Sequence, residues 1–402
     1  MESETRADYG WFNLCERLET ERVDPQSASP LFNIPAEIRN LIFELAVTEF
    51  PSPRARIIKP EVRQSHELIP MPELPSPSAV ESVVEQVRYQ IQGIVLPRHH
   101  RMRPFIMSHT RQPQDGFDWL RFDNTEPMRV GIALLLTCRR AYLETHSLPL
   151  LQTEQRFYCD RGPFSVGSEG SRADVGQFIT EWLSNPAPTP GLSQKDLVRS
   201  VRLFTQQYRL EDAFPSLVRS NVWFANLEHL RITLRRSDWW DWEQNAPLRI
   251  NPFKGNCQQG HTINIMRRDM STEIEDIEFS EGAWGRAFAY MSKLKTLTID
   301  FETSEDKRAE MEAIVAWALK WRFPLQGGRH LSTGGRPASK MSWRGLKHHW
   351  SDNCVSCGRF VWNNPQGDGC PKCRETKLLV SQRYGPQLLI WTCVWKPVQD
   401  MS

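Results

Sequence analysis

The segment Leu227-Glu228-His229-Leu230-Arg231-Ile232-Thr233-Leu234 decides the reading of this chain, because a second copy follows it as Leu294-Lys295-Thr296-Leu297-Thr298-Ile299-Asp300-Phe301. In both copies the last three apolar residues alternate with polar ones, the two-residue period of a strand with one buried face. A weaker third copy is Val198-x-x-Val201-x-Leu203. Strands are therefore predicted at Leu197–Thr205, Glu228–Arg235 and Lys295–Phe301. Helical spacing fills the intervals. Ser171 can cap a helix carrying Val175, Phe178, Ile179 and Trp182. Further helices are expected at Leu210–Asn226 and Glu281–Ser292, and a last one is capped by Ser304 and carries Met311, Ile314, Val315, Ala318 and Trp321.

This alternation predicts an α/β (α+β) fold. The strand phrase resembles the consensus of leucine-rich repeats, with parallel strands and helices on the other side. Its spacing is irregular, so a small parallel sheet covered by helices fits equally well. Between the second and third elements lies Ser237-Asp238-Trp239-Trp240-Asp241-Trp242. Trp239, Trp240 and Trp242 are candidates for an aromatic partner-binding wall. Packing at the core or a domain edge is the plainer reading, with at least one indole half-exposed.

Working outward, the 402 residues leave room for two or three domains. Fifty basic and 48 acidic residues leave a net charge of +2, not the strongly basic face of a dedicated nucleic-acid binder. The opening MESETRADYG lacks a signal-peptide pattern, and the longest apolar run, Gly131–Cys138, is too short to span a bilayer. Nine cysteines, an odd number, suggest reduced thiols and metal, and so a cytoplasmic or nuclear setting. Arg98–Arg103 reads as a solvated loop. Gly327, Gly328, Gly334 and Gly335 read as a linker, since no Gly-Lys-Ser/Thr ending makes them a phosphate cradle. His146 and His229 read as packing residues. No nucleophile elbow or zinc-protease helix is present, so the expectation is a protein that is not an enzyme.

The C-terminal phrase CVSCGRFVWNNPQGDGCPKC holds two C-x-x-C knuckles, Cys354/Cys357 and Cys370/Cys373. Four thiolates close a tetrahedral shell with no open position, which predicts one structural zinc ion. Gly358 and Pro371 favour the tight turns. Strands at Arg359–Trp362, Lys377–Ser381 and Gln387–Trp395 would complete a zinc-ribbon-like β segment. Cys393, His348 and His349 are left outside the shell.

Near the N-terminus, a helix at Pro35–Thr48 gathers Ile38, Leu41, Ile42 and Leu45 on one face. A second helix is expected at Val130–Ser147, ended by Pro149. Between them, residues 51–127 read as a long Pro-rich insertion with a short helix at Ala79–Gln92. The phrases Leu31-Phe32-Asn33-Ile34-Pro35-Ala36-Glu37-Ile38-Arg39-Asn40-Leu41-Ile42-Phe43-Glu44-Leu45 and Leu134-Leu135-Leu136-Thr137-Cys138-Arg139-Arg140-Ala141-Tyr142-Leu143-Glu144 resemble the two halves of a fungal F-box-like domain. The Trp-containing stretch Arg231–Glu243 is similar to the region that often follows it. The resemblance implies that Pro35, Ile38, Ile42 and Leu45 contact the adaptor subunit of a cullin-type ubiquitin ligase, while the α/β region meets an unknown protein partner. An apolar helix face packed against the helix at 130–147 is the competing reading.

The expected organisation is a flexible segment at 1–27, then an F-box-like helical module at 28–155 interrupted at 51–127. An irregular leucine-rich-repeat-like α/β region follows at 156–325, a Gly-rich linker at 326–342, and the zinc-ribbon-like segment at 343–402. The expected function is a non-enzymatic interaction protein, an F-box-type substrate receptor. The alternatives are a zinc-ribbon protein that is regulatory or associated with nucleic acid, the latter less favoured, and a structural protein with a degenerate F-box.

Overall fold

A computed structural model of the chain describes residues 23–47, 49–51, 62–63, 128–131, 133–159, 194–255, 263–346, 350–361, 370–381 and 384–399. The helices expected at Ala79–Gln92 and after Ser171, and the basic run Arg98–Arg103, lie outside them. Contacts divide the chain into one unit of 1–51, 128–155 and 176–200, and a second of 52–127, 156–175 and 201–402. This differs from the sequence-based division, which kept the insertion with the N-terminal module and gave the C-terminal segment a domain of its own.

In the first unit, helix α1 (Ala36–Ala46) starts after Pro35, whose fixed φ suits a helix entry, and Glu37 lies in its first turn. Its buried side is not the expected one. Arg39, Phe43 and, one turn on, Val47 face inward, whereas Ile38, Leu41, Ile42 and Leu45 are 52%, 54%, 41% and 67% exposed. The competing reading, in which these four pack on the helix at 130–147, is thereby corrected: an i, i+4, i+8 row on the other side fills the core.

The single helix expected over Val130–Ser147 is also corrected. Strand β2 (Met128–Val130) pairs antiparallel with β1 (Glu49–Pro51), so the two ends of the insertion lie side by side. A 3₁₀ turn follows at Ala133–Leu136, then helix α2 (Arg139–Thr145). The break has a local cause. Thr137 Oγ1 donates to the carbonyl of Leu134, and Cys138 is extended, its sulfur accepting the N–H of Ala141 as an N-cap. Pro149 sits in the first turn of a further short helix, Leu148–Gln152, where its missing N–H costs nothing.

In the second unit the two sequence copies become adjacent parallel strands, β4 (His229–Leu234) and β5 (Thr296–Ser304). Their register pairs Leu230 with Leu297, Ile232 with Ile299 and Leu234 with Phe301, the alignment read from the sequence. The weaker copy is β3 (Ser200–Phe204), beyond β4 in the sheet. On the other side of β5 the next strand is β7 (Tyr384–Gln399), antiparallel, followed by β6 (Ser339–Leu346), also antiparallel to it. The result is one mixed sheet, with Val62–Arg63 at one edge and Glu154–Tyr158 at the other.

The segment expected to be a linker is part of this sheet. Gly327 and Gly328, both at positive φ, turn a hairpin between Phe323–Leu325 and Arg329–Ser332, and that hairpin adds to β7 through Ser332 and Lys396. The glycines are turn residues of a packed element, a role that composition alone does not separate from a linker.

One face of the sheet forms the aromatic core. Leu297, Ile299 and Phe301 lie beside Trp395, Cys393 and Trp391 of β7, all buried. Helix α3 (Arg308–Ala318) covers them with Met311, Ile314, Val315 and Ala318, as its spacing predicts. Trp321 at the centre meets Trp317, Trp284 and Phe301 edge-on, at centroid distances of 5.2, 5.9 and 6.1 Å. Each such ring contributes about 2–3 kcal/mol through burial. The helix expected at Glu281–Ser292 is a 3₁₀ helix, Trp284–Tyr290. A β-carbon at Gly285 would lie 2.8 Å from both the Phe279 ring and the Pro252 carbonyl oxygen, so the close approach needs glycine there.

The interval expected as one helix, Leu210–Asn226, is three short pieces: Gln207–Glu211, Ala213–Ser220 and a 3₁₀ turn at Val222–Asn226. Among the described residues no helix is long and apolar enough to cross a membrane.

Candidate metal centre

Cys354 and Cys357 lie on a tight turn. Asn353 and Phe360 form a β-bridge around it, the N–H of Cys354 donates to the carbonyl of Arg359 at 2.8 Å, and the N–H of Gly358 donates back to the carbonyl of Cys354 at 2.8 Å. Gly358 has φ +68°, the left-handed conformation that the turn after the second cysteine requires. The second knuckle is built differently. Pro371 begins helix α4 (Pro371–Ser381), so Cys370 lies at its N-terminus and Cys373 in its first turn.

The ribbon of flanking strands is therefore corrected. Lys377–Ser381 is helical, because Pro371 supplies a helix start and KCRETKLL is rich in helix formers. Gln387–Trp395 is a strand, but one inside the main sheet. Arg359–Trp362 contributes only the bridge at Phe360 among the described residues.

The four sulfurs all lie within 4.8 Å of one another, with Cys354 and Cys370 at 3.8 Å and Cys357 and Cys373 at 3.6 Å. A tetrahedral ion with metal–sulfur bonds of about 2.3 Å sets its ligand sulfurs roughly 3.8 Å apart. The separations are far beyond a disulfide bond of about 2.05 Å. The quartet can hold a metal ion. Hydrogen bonds from the backbone N–H of Cys373, and then of Lys372, bring the Cys370 thiol down to about 6, whereas burial pushes the neighbouring Cys373 thiol up. Around the sulfurs the hydrophobic packing is small: buried Cys354, Val361 and Cys373, with Cys370 against them.

The centre does not stand alone. Just before Cys354, the N–H groups of Asp352 and Asn353 donate to the carbonyl of Glu243 at 3.0 and 3.3 Å. Arg236 Nη2 donates to Ser351 Oγ at 2.6 Å. The knuckle is thus docked on the tryptophan loop that leaves the carboxyl end of β4, a link that sequence separation conceals.

Within that loop the three indoles take different roles. Trp239 is buried and its Nε1 donates to the carbonyl of Glu302 at 2.7 Å. Trp240 is half-buried; its Nε1 donates to Glu211 Oε2 at 3.0 Å. Trp242, also half-buried, lies over the guanidinium of Arg236, 4.9 Å from ring centre to Cζ. All three line one shallow cleft, but they do not form a flat wall. Glu302 ties the loop to the sheet, its Oε1 accepting the N–H of Arg236 at 3.0 Å and its Oε2 the indole N–H of Trp343 at 3.2 Å.

Comparison of the chain with family models, curated proteins and solved structures finds no match.

Sequence reasoning missed Arg236, Glu211 and Glu302. Lone charged residues in strand-end or helical phrases carry no periodic signal; only the run Arg235-Arg236-Ser237-Asp238 beside three tryptophans hinted at a polar cluster. Glu211 has a consequence in solution. Burial pushes its carboxyl up to about 7 from an ordinary 4.5, outweighing the hydrogen bonds from Gln207 and Trp240. Between those values the folded protein holds a proton that the unfolded chain has released, so stability falls as pH rises through the window. Urea midpoints measured from pH 4.5 to 8 should show this fall in the native protein and a flatter profile in Glu211→Gln. Equal slopes would remove Glu211 as the cause.

Proposed function

We propose that this chain is a non-enzymatic interaction protein of the F-box type. Its first unit binds the adaptor subunit of a cullin ubiquitin ligase. Its second unit presents a partner surface built from the tryptophan loop and a C-terminal centre holding one zinc ion. The observation that carries the reading is the outward face of α1. Four large apolar side chains, Ile38, Leu41, Ile42 and Leu45, stand 41–67% exposed at i, i+3, i+4, i+7 spacing, the pattern of a helix that docks in an apolar groove. Exposed Pro35 precedes them at the helix start.

A second observation supports it. The two phrases that resemble an F-box are joined in space by Arg39, whose Nε and Nη2 donate to Glu144 of α2 at 2.6 and 3.2 Å. Arg39 Nη1 donates to the carbonyl of Ile34 at 3.0 Å, and Phe32 lies beneath both Arg39 and Arg140. The insertion enters and leaves through the paired strands β1 and β2, so it does not separate the halves.

Zinc is proposed over other ions because four thiolates in a closed tetrahedral shell suit its size and softness. When bound it supplies cross-linking of the two knuckles.

Co-purification with the ligase adaptor tests the proposal. Wild type should retain the adaptor, and Ile38→Asp should lose it by about tenfold or more while keeping its melting temperature, since the replaced side chain is exposed. A wild-type chain that never retains the adaptor would return α1 to a purely structural role.

A further inference from the structure

The cleft beside the tryptophan loop contains an unusual buried cation. Arg236 is 5% exposed; one nitrogen, Nη2, reaches Ser351, while Nε and Nη1 have no hydrogen-bond partner among the described residues. Buried charged donors without acceptors are costly, so such atoms mark a place where an acceptor belongs. Four carboxylates act on Arg236 through space (Asp306, Glu302, Glu243 and Asp352), yet none accepts from Nε or Nη1.

The residues lining the cleft define what would fit. Trp239, Trp240, Trp242 and Leu248 give apolar walls; Arg236 and Lys307 are the charged members of the lining, and Lys307 is already paired with Glu310, its Nζ donating to Oε1 at 2.9 Å. Thr303 and Ser304 add hydroxyls at the end of β5. Free space beside these groups is about 10 Å³, room for one water and no more. Trp242 lies over Arg236, on a 3₁₀ turn bracketed by Asp241 and Asn245, both non-glycine residues in the left-handed conformation at φ 54° and 57°.

We propose that this cleft is a carboxylate-binding subsite, in which Trp242 swings aside and the carboxylate takes the place against Nε and Nη1 of Arg236. Guanidinium donors and a dry aromatic surround favour a planar carboxylate, and an apolar neighbouring group would pack on the exposed indole faces. The ligand is a free carboxylic acid or an acidic side chain of a peptide. This inference stands apart from the adaptor reading, because it uses neither α1 nor the cysteines.

The test uses the full chain with its metal, labelled with 5-fluorotryptophan, the Trp242 resonance being assigned by Trp242→Phe. The probes are acetate, inorganic phosphate, acetyl-Leu-Glu-amide and acetyl-Leu-Gln-amide. Saturable shifts of the Trp242 signal with acetate or the Glu peptide, at least about tenfold stronger than with the Gln isostere, support the subsite. A response to acetate assigns a free acid, and one to the Glu peptide alone assigns a peptide side chain. Arg236→Gln should abolish the shift; should that variant melt early, Arg236→Lys, which keeps the charge and loses the planar pair of donors, should weaken it. Equal shifts from both peptides, a response to phosphate only, or silence from both carboxylates leaves Arg236 with a buried water and overturns the proposal.

Discussion

Replacing Cys354 and Cys370 together with serine is expected to abolish metal binding and to unfold residues 350–361 and 370–381, while the sheet stays intact. Binding of zinc to small thiolate sites supplies an apparent ~10–16 kcal/mol that is also folding free energy. Among the described residues nothing comparable replaces it. The buried hydrophobic packing around the sulfurs consists of Val361 and the cysteines themselves. Strands β6 and β7, on either side of the centre in sequence, are held by their own ladder and by β5, so the loss stops at their ends. The loss should spread in one direction only. Ser351, Asp352 and Asn353 would release Arg236 and the Glu243 carbonyl, and the tryptophan loop would loosen. Metal analysis and amide exchange check both parts. Exchange should rise by orders of magnitude at the two segments and moderately at 236–245, and remain slow in β4 and β5. A double variant that keeps its metal, or loses it without any change in exchange, would sink the centre as a structural element.

Replacing Asp300 with alanine is expected to lower the stability of the second unit by about 3–5 kcal/mol, because it strands a buried cation. Asp300 is fully buried in mid-sheet. It accepts from Arg202 Nη2 at 3.2 Å, from Arg231 Nε and Nη2 at 2.7 and 3.1 Å, from Thr233 Oγ1 at 2.8 Å and from Thr392 Oγ1 at 2.7 Å. Those partners come from β3, β4 and β7, so one carboxylate links four strands. Arg202 is only 1% exposed and cannot reach water when Asp300 is removed, whereas Arg231 is one quarter exposed and can. Asp300→Asn keeps an acceptor oxygen and should cost less than alanine. Adding Arg202→Met to Asp300→Ala should recover much of the loss, since a pair of apolar replacements leaves only the partly exposed Arg231 charge behind. Urea unfolding followed by tryptophan fluorescence measures all three. A loss below about 1 kcal/mol for alanine would mean that the arginines find other acceptors.

Several parts of this protein could be read in the sequence because their signals are local. The two C-x-x-C knuckles announce a metal-capable quartet, and the sulfurs do converge. The copies at Leu227 and Leu294 announce strands with one buried face, and their alignment is the pairing register, since both must present the same residues to one core. Helix α3 was legible for the same reason, apolar residues at helical spacing, although it ends at Ala318 and leaves the fifth of them, Trp321, beyond its end. Where competing local signals were close in strength, the reading failed. Lys377–Ser381 suits a strand or a helix by composition, and Pro371 at the helix start decided it. The glycines near 330 suit a linker or a turn, and strand pairing with β7 decided it.

The sequence by itself thus determined the local chemistry: which residues form strands with a buried face, which cysteines can gather, and where an apolar row lies on α1. Only the tertiary structure decided which face of α1 is buried, that Arg39 reaches Glu144 across the insertion, that Arg236 is held between the tryptophan loop and the first cysteine knuckle, and that Asp300 is the hub of four strands. The physical reason is range. Periodicity and spacing record what a side chain does to its near neighbours along the chain. A buried charge is placed by partners that arrive from far away in sequence, and it is tolerated only after they have all been brought together.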